Sequence, residues 1–121
     1  MSKKVKDLSF EFAVQIVKFC NKLFKESRDN YPVIQQLLKS GTSIGANIEE
    51  ANAAQSKKDF LAKMYISFKE ARETNYWLRL IKESEITKSR ETDELIKISL
   101  SLIKMLSSIT YTTKKNLSSS N

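Results

Sequence analysis

A chain of 121 residues has the length of one domain and can bury roughly two-thirds of its unfolded surface, so it needs no disulfide or metal to fold. Apolar residues at 40% and charged residues at 29% exclude a disordered class, and two glycines with one proline imply few turns and long helices. The lack of any histidine removes Ser-His and Cys-His catalysis, the usual zinc sites and the Glu-x-x-His di-iron motif; the formal net charge of +7 favours nucleic acid, acidic protein or anionic membrane surfaces without choosing among them.

A first helix is expected from about Asp7 to Ser27. It carries two apolar stripes. Leu8, Phe12, Ile16, Phe19 and Leu23 form one; Phe10, Ala13, Val17, Cys20 and Phe24 form the other, centred about 120° away at 100° per residue. Glu11, Gln15, Lys18, Lys22 and Lys25 are left for water. One helix of a monomeric bundle buries a single face, so the second stripe predicts a homo-oligomer, with a cyclic ring as one closed solution; a monomer with a wide core is the plainer alternative. Cys20, the one cysteine, sits among Val17, Phe19 and Phe24 and reads as a buried structural thiol.

The break Ser27–Asn30 leads to Pro32 in the first turn of a second helix running to about Ala54. Ile34, Leu37, Gly41, Ile44, Ile48 and Ala51 step by three and four residues along one seam. Gly41 and Gly45 each cost about 1 kcal/mol against alanine in a helix interior, which predicts close approach of another backbone. A phosphate-binding loop is excluded, because no Gly-Lys-Ser/Thr ending follows. Beside the seam, Ser40, Ser43, Asn47, Glu50 and Ala54 form a small polar flank, expected as an interhelical hydrogen-bond network or else as a partner-binding edge.

Ser56 reads as the N-cap of a third helix, with Asp59 as its capping-box acid, and this helix is expected to reach about Ser84. Phe60, Met64, Phe68, Ala71 and Leu78 share one face, while Ile66, Trp77 and Ile81 point elsewhere and repeat the surplus seen in the first helix. Glu49, Glu50, Glu70 and Glu73 are paired carboxylates of the kind that bind metal or move protons. Lys39, Lys63, Lys69, Arg72 and Arg79 are close enough in the chain that salt bridging is the expected role.

Ser89 can cap a fourth helix that has Glu91, Asp93 and Glu94 in its first turn and Lys114 and Lys115 near its end, both suited to the helix dipole. Leu95, Ile98, Leu102, Met105 and Ile109 form its seam. Residues 118–121 read as a frayed tail, leaving 1–117 as a single domain. Short breaks between long helices force antiparallel neighbours, so the expected fold is an all-α, up-and-down four-helix bundle. No apolar run is long enough for a membrane span and no signal peptide is read, so a cytoplasmic location without membrane association is expected.

That topology gathers the start of the first helix, the second turn and the end of the fourth helix at one end. Lys3, Lys4, Lys6, Lys57, Lys58, Lys114 and Lys115 meet there against Asp7 and Asp59, a net of +5. The opposite end holds Lys25, Arg28, Lys82, Lys88 and Arg90 against Glu26, Asp29, Glu83, Glu85, Glu91, Asp93 and Glu94, a net of −2. A basic end suits a phosphate backbone, read by charge and shape. Lysines that merely keep the protein in solution are the alternative.

The segment Ser40-Gly41-Thr42-Ser43-Ile44-Gly45-Ala46-Asn47-Ile48-Glu49-Glu50-Ala51 resembles the signature of a bacterial four-helix-bundle family. Its members include proteins encoded in intervening sequences of large-subunit ribosomal RNA genes. Gln55–Phe60, Lys69–Thr74 and Tyr76–Leu78 extend the match across nearly the whole chain. Many relatives have glycine where Ala51 stands, a departure that touches helix curvature. The resemblance implies a homopentameric ring. It also implies kinship with accessory proteins of diversity-generating retroelements, whose basic rings bind nucleic acid and a reverse transcriptase. It offers no catalytic residues, cofactor or metal ligands to carry over.

The sequence therefore predicts a non-catalytic oligomer that binds RNA or DNA through the seven lysines. Gly41, Gly45, Asn47, Glu50, Phe10, Val17, Phe24 and Trp77 are its helix-packing or subunit-interface candidates. The alternative is a protein-interaction scaffold that binds no nucleic acid.

Overall fold

Local chemistry sets each helix boundary in the computed structural model, which describes residues 3–119. Helix α1 spans Lys3–Glu26, a single 3-10 turn follows at Arg28–Asn30, and α2 spans Tyr31–Asn52, with Pro32 in the first turn where its missing N–H costs nothing. Helix α3 spans Lys57–Glu83. The Ser56 hydroxyl accepts a hydrogen bond from the Asp59 backbone N–H at 3.0 Å, so the expected cap forms. Helix α4 spans Glu91–Ser119. Ser89 stands one residue outside its expected capping place: its hydroxyl accepts from the Glu91 N–H at 3.2 Å and its carbonyl from the Thr92 N–H.

The α3–α4 connection is a Schellman turn. Ile86 N–H donates to the Ile81 carbonyl and Glu85 N–H to that of Lys82. Glu85 takes the left-handed position at φ 56°, a place glycine usually fills.

Packing follows the order α1–α2–α3–α4–α1 around a square, and among the described residues the backbones of diagonal helices do not come within 8 Å, Cα to Cα. The α2–α3 and α3–α4 contacts are the most extensive and α1–α4 the lightest. The fold is the expected all-α four-helix bundle. Its core takes the first stripe of α1 through Phe12, Ile16, Phe19 and Leu23, and the α2 seam through Ile34, Leu37, Ile44 and Ile48. Each such side chain contributes roughly 1.5–3 kcal/mol by leaving water. Met64, Ala71, Leu78 and Ile81 from α3 and Leu95, Leu102 and Leu106 from α4 complete it.

Three polar ties cross this core. Ser67 Oγ donates to the Ile44 carbonyl at 2.8 Å, Ser40 and Thr74 share a hydroxyl hydrogen bond at 3.0 Å, and Asn75 Nδ2 donates to Ser99 Oγ at 3.0 Å. Each satisfies buried groups and fixes how α3 sits against its neighbours. Cys20 is buried as expected, and burial pushes its thiol up to about 12.

Two boundaries differ clearly from the sequence expectation. Helix α1 starts at Lys3 rather than Asp7, because Val5 and Ser9 are buried and draw the lysine-rich turn into the bundle. Helix α4 continues through Ser119, two residues into the expected tail, and Ser119 Oγ donates back to the Lys115 carbonyl at 2.7 Å. Ser120 and Asn121 lie outside the described residues. No helix among the described residues is long and apolar enough to cross a membrane.

Candidate nucleic-acid and assembly surfaces

The antiparallel order can be checked residue against residue. Gly45 lies against Ser9 and Gly41 against Ile16, Ser67 meets Ile44, Asn75 meets Ser99, and Lys4 and Val5 line a groove with Ser101, Lys104, Met105, Ser108 and Ile109. The start of α1, the α2–α3 turn and the end of α4 therefore lie at one end. Lys3, Lys4, Lys6, Lys57, Lys58, Lys114 and Lys115 are all exposed there. Lys4 and Lys104 line the same α1–α4 groove and extend the positive surface along that side. On the α1–α2 side the exposed Glu49 and Glu50 offset it. The ion pairs Lys22–Glu91 at 3.8 Å and Lys82–Asp93 at 2.7 Å lie towards the opposite end.

The interface candidates divide by location. Gly41 and Gly45 serve packing within the chain. A Cβ on Gly41 would stand 2.9 Å from Ile16 Cγ2, and one on Gly45 3.3 Å from Ser9 Oγ and 3.4 Å from the Ser9 carbonyl oxygen. Phe10, Val14 and Val17 remain 60%, 39% and 38% exposed on α1, whereas Cys20 turns inward and Phe24 is half-buried, packed against Tyr31 with ring centroids 5.0 Å apart and planes tilted by 37°. The second stripe of α1 is thus external over its first half only. It borders a groove of about 560 Å³ lined by Phe10, Ala13, Thr42, Ala46, Glu50 and Ala53 among others.

The expected polar network on α2 forms only at Ser40. Ser43 Oγ donates to the Lys39 carbonyl at 2.7 Å and Asn47 Nδ2 to the Ser43 carbonyl at 2.8 Å, so both are satisfied within their own helix. Glu50 faces solvent in the groove. The carboxylates form no shared site: among the described residues no three metal-ligating side chains of the His, Cys, Asp and Glu type come together. Burial raises the Glu70 carboxyl, Glu73 reinforces the shift, and Lys69 and Lys39 oppose it without reversing it. Glu73 accepts from Trp77 Nε1 at 3.4 Å.

A sequence model of the 23S rRNA-intervening sequence protein family matches residues 1–108. The chain belongs to that family. A crystal structure of a protein of unknown function from the S23 ribosomal protein family of Bacteroides thetaiotaomicron shares 43% sequence identity. The match covers 88% of this chain and 97% of that one, with a TM-score of 0.81. No curated protein matches the sequence. For this family member the bundle expected from the resemblance is therefore shared by a solved relative.

A further cluster escaped the sequence reading, which treats Arg72 and Arg79 only as counter-charges. On the α3–α4 side, Tyr65, Phe68, Lys69, Arg72, Glu73, Asn75, Tyr76, Arg79 and Ile103 line an open groove of about 800 Å³. The signal was the spacing of rings and cations along α3, at positions 65, 68, 69, 72, 76 and 79, which puts both types on one outward stripe.

Proposed function

We propose that this protein is a non-catalytic, cytoplasmic accessory factor that assembles into a closed homo-oligomer, a pentamer by the family resemblance, and binds structured RNA through its basic end. The observation that carries this reading is the meeting of seven exposed lysines, from three separate segments, at one end of the bundle. In a ring of parallel protomers these ends add into one cationic face, which binds phosphates by releasing counterions. Assembly is supported by the exposed Phe10, Val14 and Val17 beside the α1–α2 groove, since apolar surface of this kind is a cost to a free monomer. The same groove favours the second reading, a scaffold that recruits a helix of another protein.

Light scattering on the purified protein, followed by titration of a fluorescent RNA hairpin at several salt concentrations, tests both parts. The variant Lys57→Glu/Lys58→Glu/Lys114→Glu/Lys115→Glu should keep its helical circular dichroism and lose most of its affinity. If those lysines touch phosphates, the slope of log affinity against log salt should fall by up to roughly 3–4. Unchanged affinity in that variant would remove the basic end from the function, and a monomeric mass would remove the ring. Salt-insensitive capture of a protein partner with no RNA binding would establish the scaffold instead.

A further inference from the structure

We infer that the α3–α4 groove is a second and distinct binding site, for single-stranded nucleic acid whose bases stack on Tyr65 and Tyr76. The two rings are 41% and 49% exposed, large for aromatic side chains flanking a packed helix pair. Guanidinium groups are interleaved with the rings. Arg72 Cζ lies 6.0 Å from the Phe68 ring centroid and Arg79 Cζ 5.9 Å from that of Tyr76. The arrangement is also braced: Arg79 Nε donates to Asn75 Oδ1 at 2.9 Å, and Asn75 Nδ2 donates to the buried Ser99 hydroxyl on α4. Arg79 is therefore held beside its ring by a contact rooted in the core. Tyr76 is supported edge-on by Trp77, with centroids 5.0 Å apart and planes at 77°.

Charge and spacing choose the ligand. Lys69, Arg72 and Arg79 face the groove against Glu73, whose carboxylate is turned to the Trp77 indole. Cations alternating with rings match the repeat of a single strand, in which each phosphate is followed by a base with an open π face. A duplex hides those faces and offers its phosphates and 2′-hydroxyls instead. Tyr65 and Tyr76 are eleven residues apart on α3, about 16 Å along the helix, which spans roughly five nucleotides at the rise of a stacked strand. Ile103 of α4 supplies an apolar floor for the stacked bases.

Oligouridine of twelve nucleotides and a hairpin duplex are the probes. Because Trp77 touches Tyr76, base stacking there should change Trp77 emission when oligouridine is added, with a much smaller change for the duplex. The double variant Tyr65→Ala/Tyr76→Ala should weaken oligouridine binding at least tenfold, from the loss of two stacking partners, and leave hairpin affinity unchanged. Tyr65→Phe/Tyr76→Phe should restore it, since stacking needs the ring and not the hydroxyl. The four-lysine charge reversal at the basic end should do the opposite. Oligouridine binding that survives the alanine variant overturns this site while leaving the basic-end reading intact. A change in oligomeric mass in that variant overturns it as well, by making the face a contact between copies. Capture of an acidic peptide in place of oligouridine, at the same tyrosines, also overturns it.

Discussion

Substituting Gly41 tests how α1 and α2 reach their separation. A methyl group there would stand 2.9 Å from Ile16 Cγ2 and 3.0 Å from Ile16 Cγ1, well inside van der Waals contact, and Ile16 is fully buried with no room to turn away. Overpacking of this kind costs about 1–3 kcal/mol, and alanine returns about 1 kcal/mol in helix propensity. Gly41→Ala should therefore destabilise by about 1 kcal/mol net. Ile16→Ala alone should cost about 2–5 kcal/mol through the cavity it leaves. In the double variant the new methyl enters that cavity, loses both close contacts with Ile16 Cγ atoms, and keeps the Cβ at position 16, 3.4 Å away, an ordinary contact. Gly41→Ala should then stabilise by about 1 kcal/mol, a coupling of about 2 kcal/mol between the two sites. Urea unfolding followed by circular dichroism measures all four proteins, at several concentrations because assembly would raise apparent stability. Additive effects, or a stabilising Gly41→Ala in the parent chain, would refute the argument that glycine is there to let α1 approach.

Glu85→Gly should raise stability by about 0.5–1 kcal/mol in thermal melts, since Glu85 holds a left-handed conformation at φ 56° and glycine adopts it without strain. Glu85→Val should lower stability in the same assay. The Cys20 thiol should resist an aromatic disulfide reagent at neutral pH until the protein is unfolded in denaturant. Its folded pKa, about 12, lies above its ordinary value of 9.0, so the associated stability is complete below pH 9 and is lost as pH rises towards 12. Cys20→Ala should decline less steeply than the parent over that window, and parallel curves would exclude this linkage.

The bundle was legible because its seams depend on periodicity alone. Ile34, Leu37, Ile44 and Ile48 are fully buried, as are Leu95 and Leu102, where steps of three and four residues put them. Ser56 was legible because its cap is local. What the sequence did not disclose was set by neighbours. The first half of the second α1 stripe stays outside, but Cys20 and Phe24 are drawn in where the turn into α2 brings Tyr31 and Ile34 close; the thiol donates to the Ile34 carbonyl at 3.8 Å. Ser43 and Asn47 looked like interhelical donors, yet serine and asparagine have carbonyls of their own helix within reach and took them. Ser67, Asn75 and Ser99 became the cross-links because their positions point into the bundle. The aromatic–cation stripe on α3 was present in the sequence, but its cations read as partners for nearby carboxylates until the groove between α3 and α4 gave them a common surface.

These surfaces constrain one another through symmetry. A closed ring larger than a dimer needs two different faces on each protomer. The α1–α2 groove, lined by Phe10 and with Val14 and Val17 exposed on the same helix, would supply one. If the second is the α1–α4 groove, where Val5, Met105 and Ile109 line an apolar trough between Lys4 and Lys104, then α1 lies inside the ring contact and the α3–α4 face points outward with its tyrosines free. Basic ends would then encircle one opening of the ring while the single-strand grooves run along its outer wall. RNA with a folded stem and a single-stranded flank would engage both surfaces at once, and the linkage would multiply two modest affinities. Such an RNA should bind more tightly than either the hairpin or oligouridine alone, and this advantage should vanish in the tyrosine variant and in the lysine variant alike. An advantage lost in only one of them would mean that the two surfaces do not share a ligand.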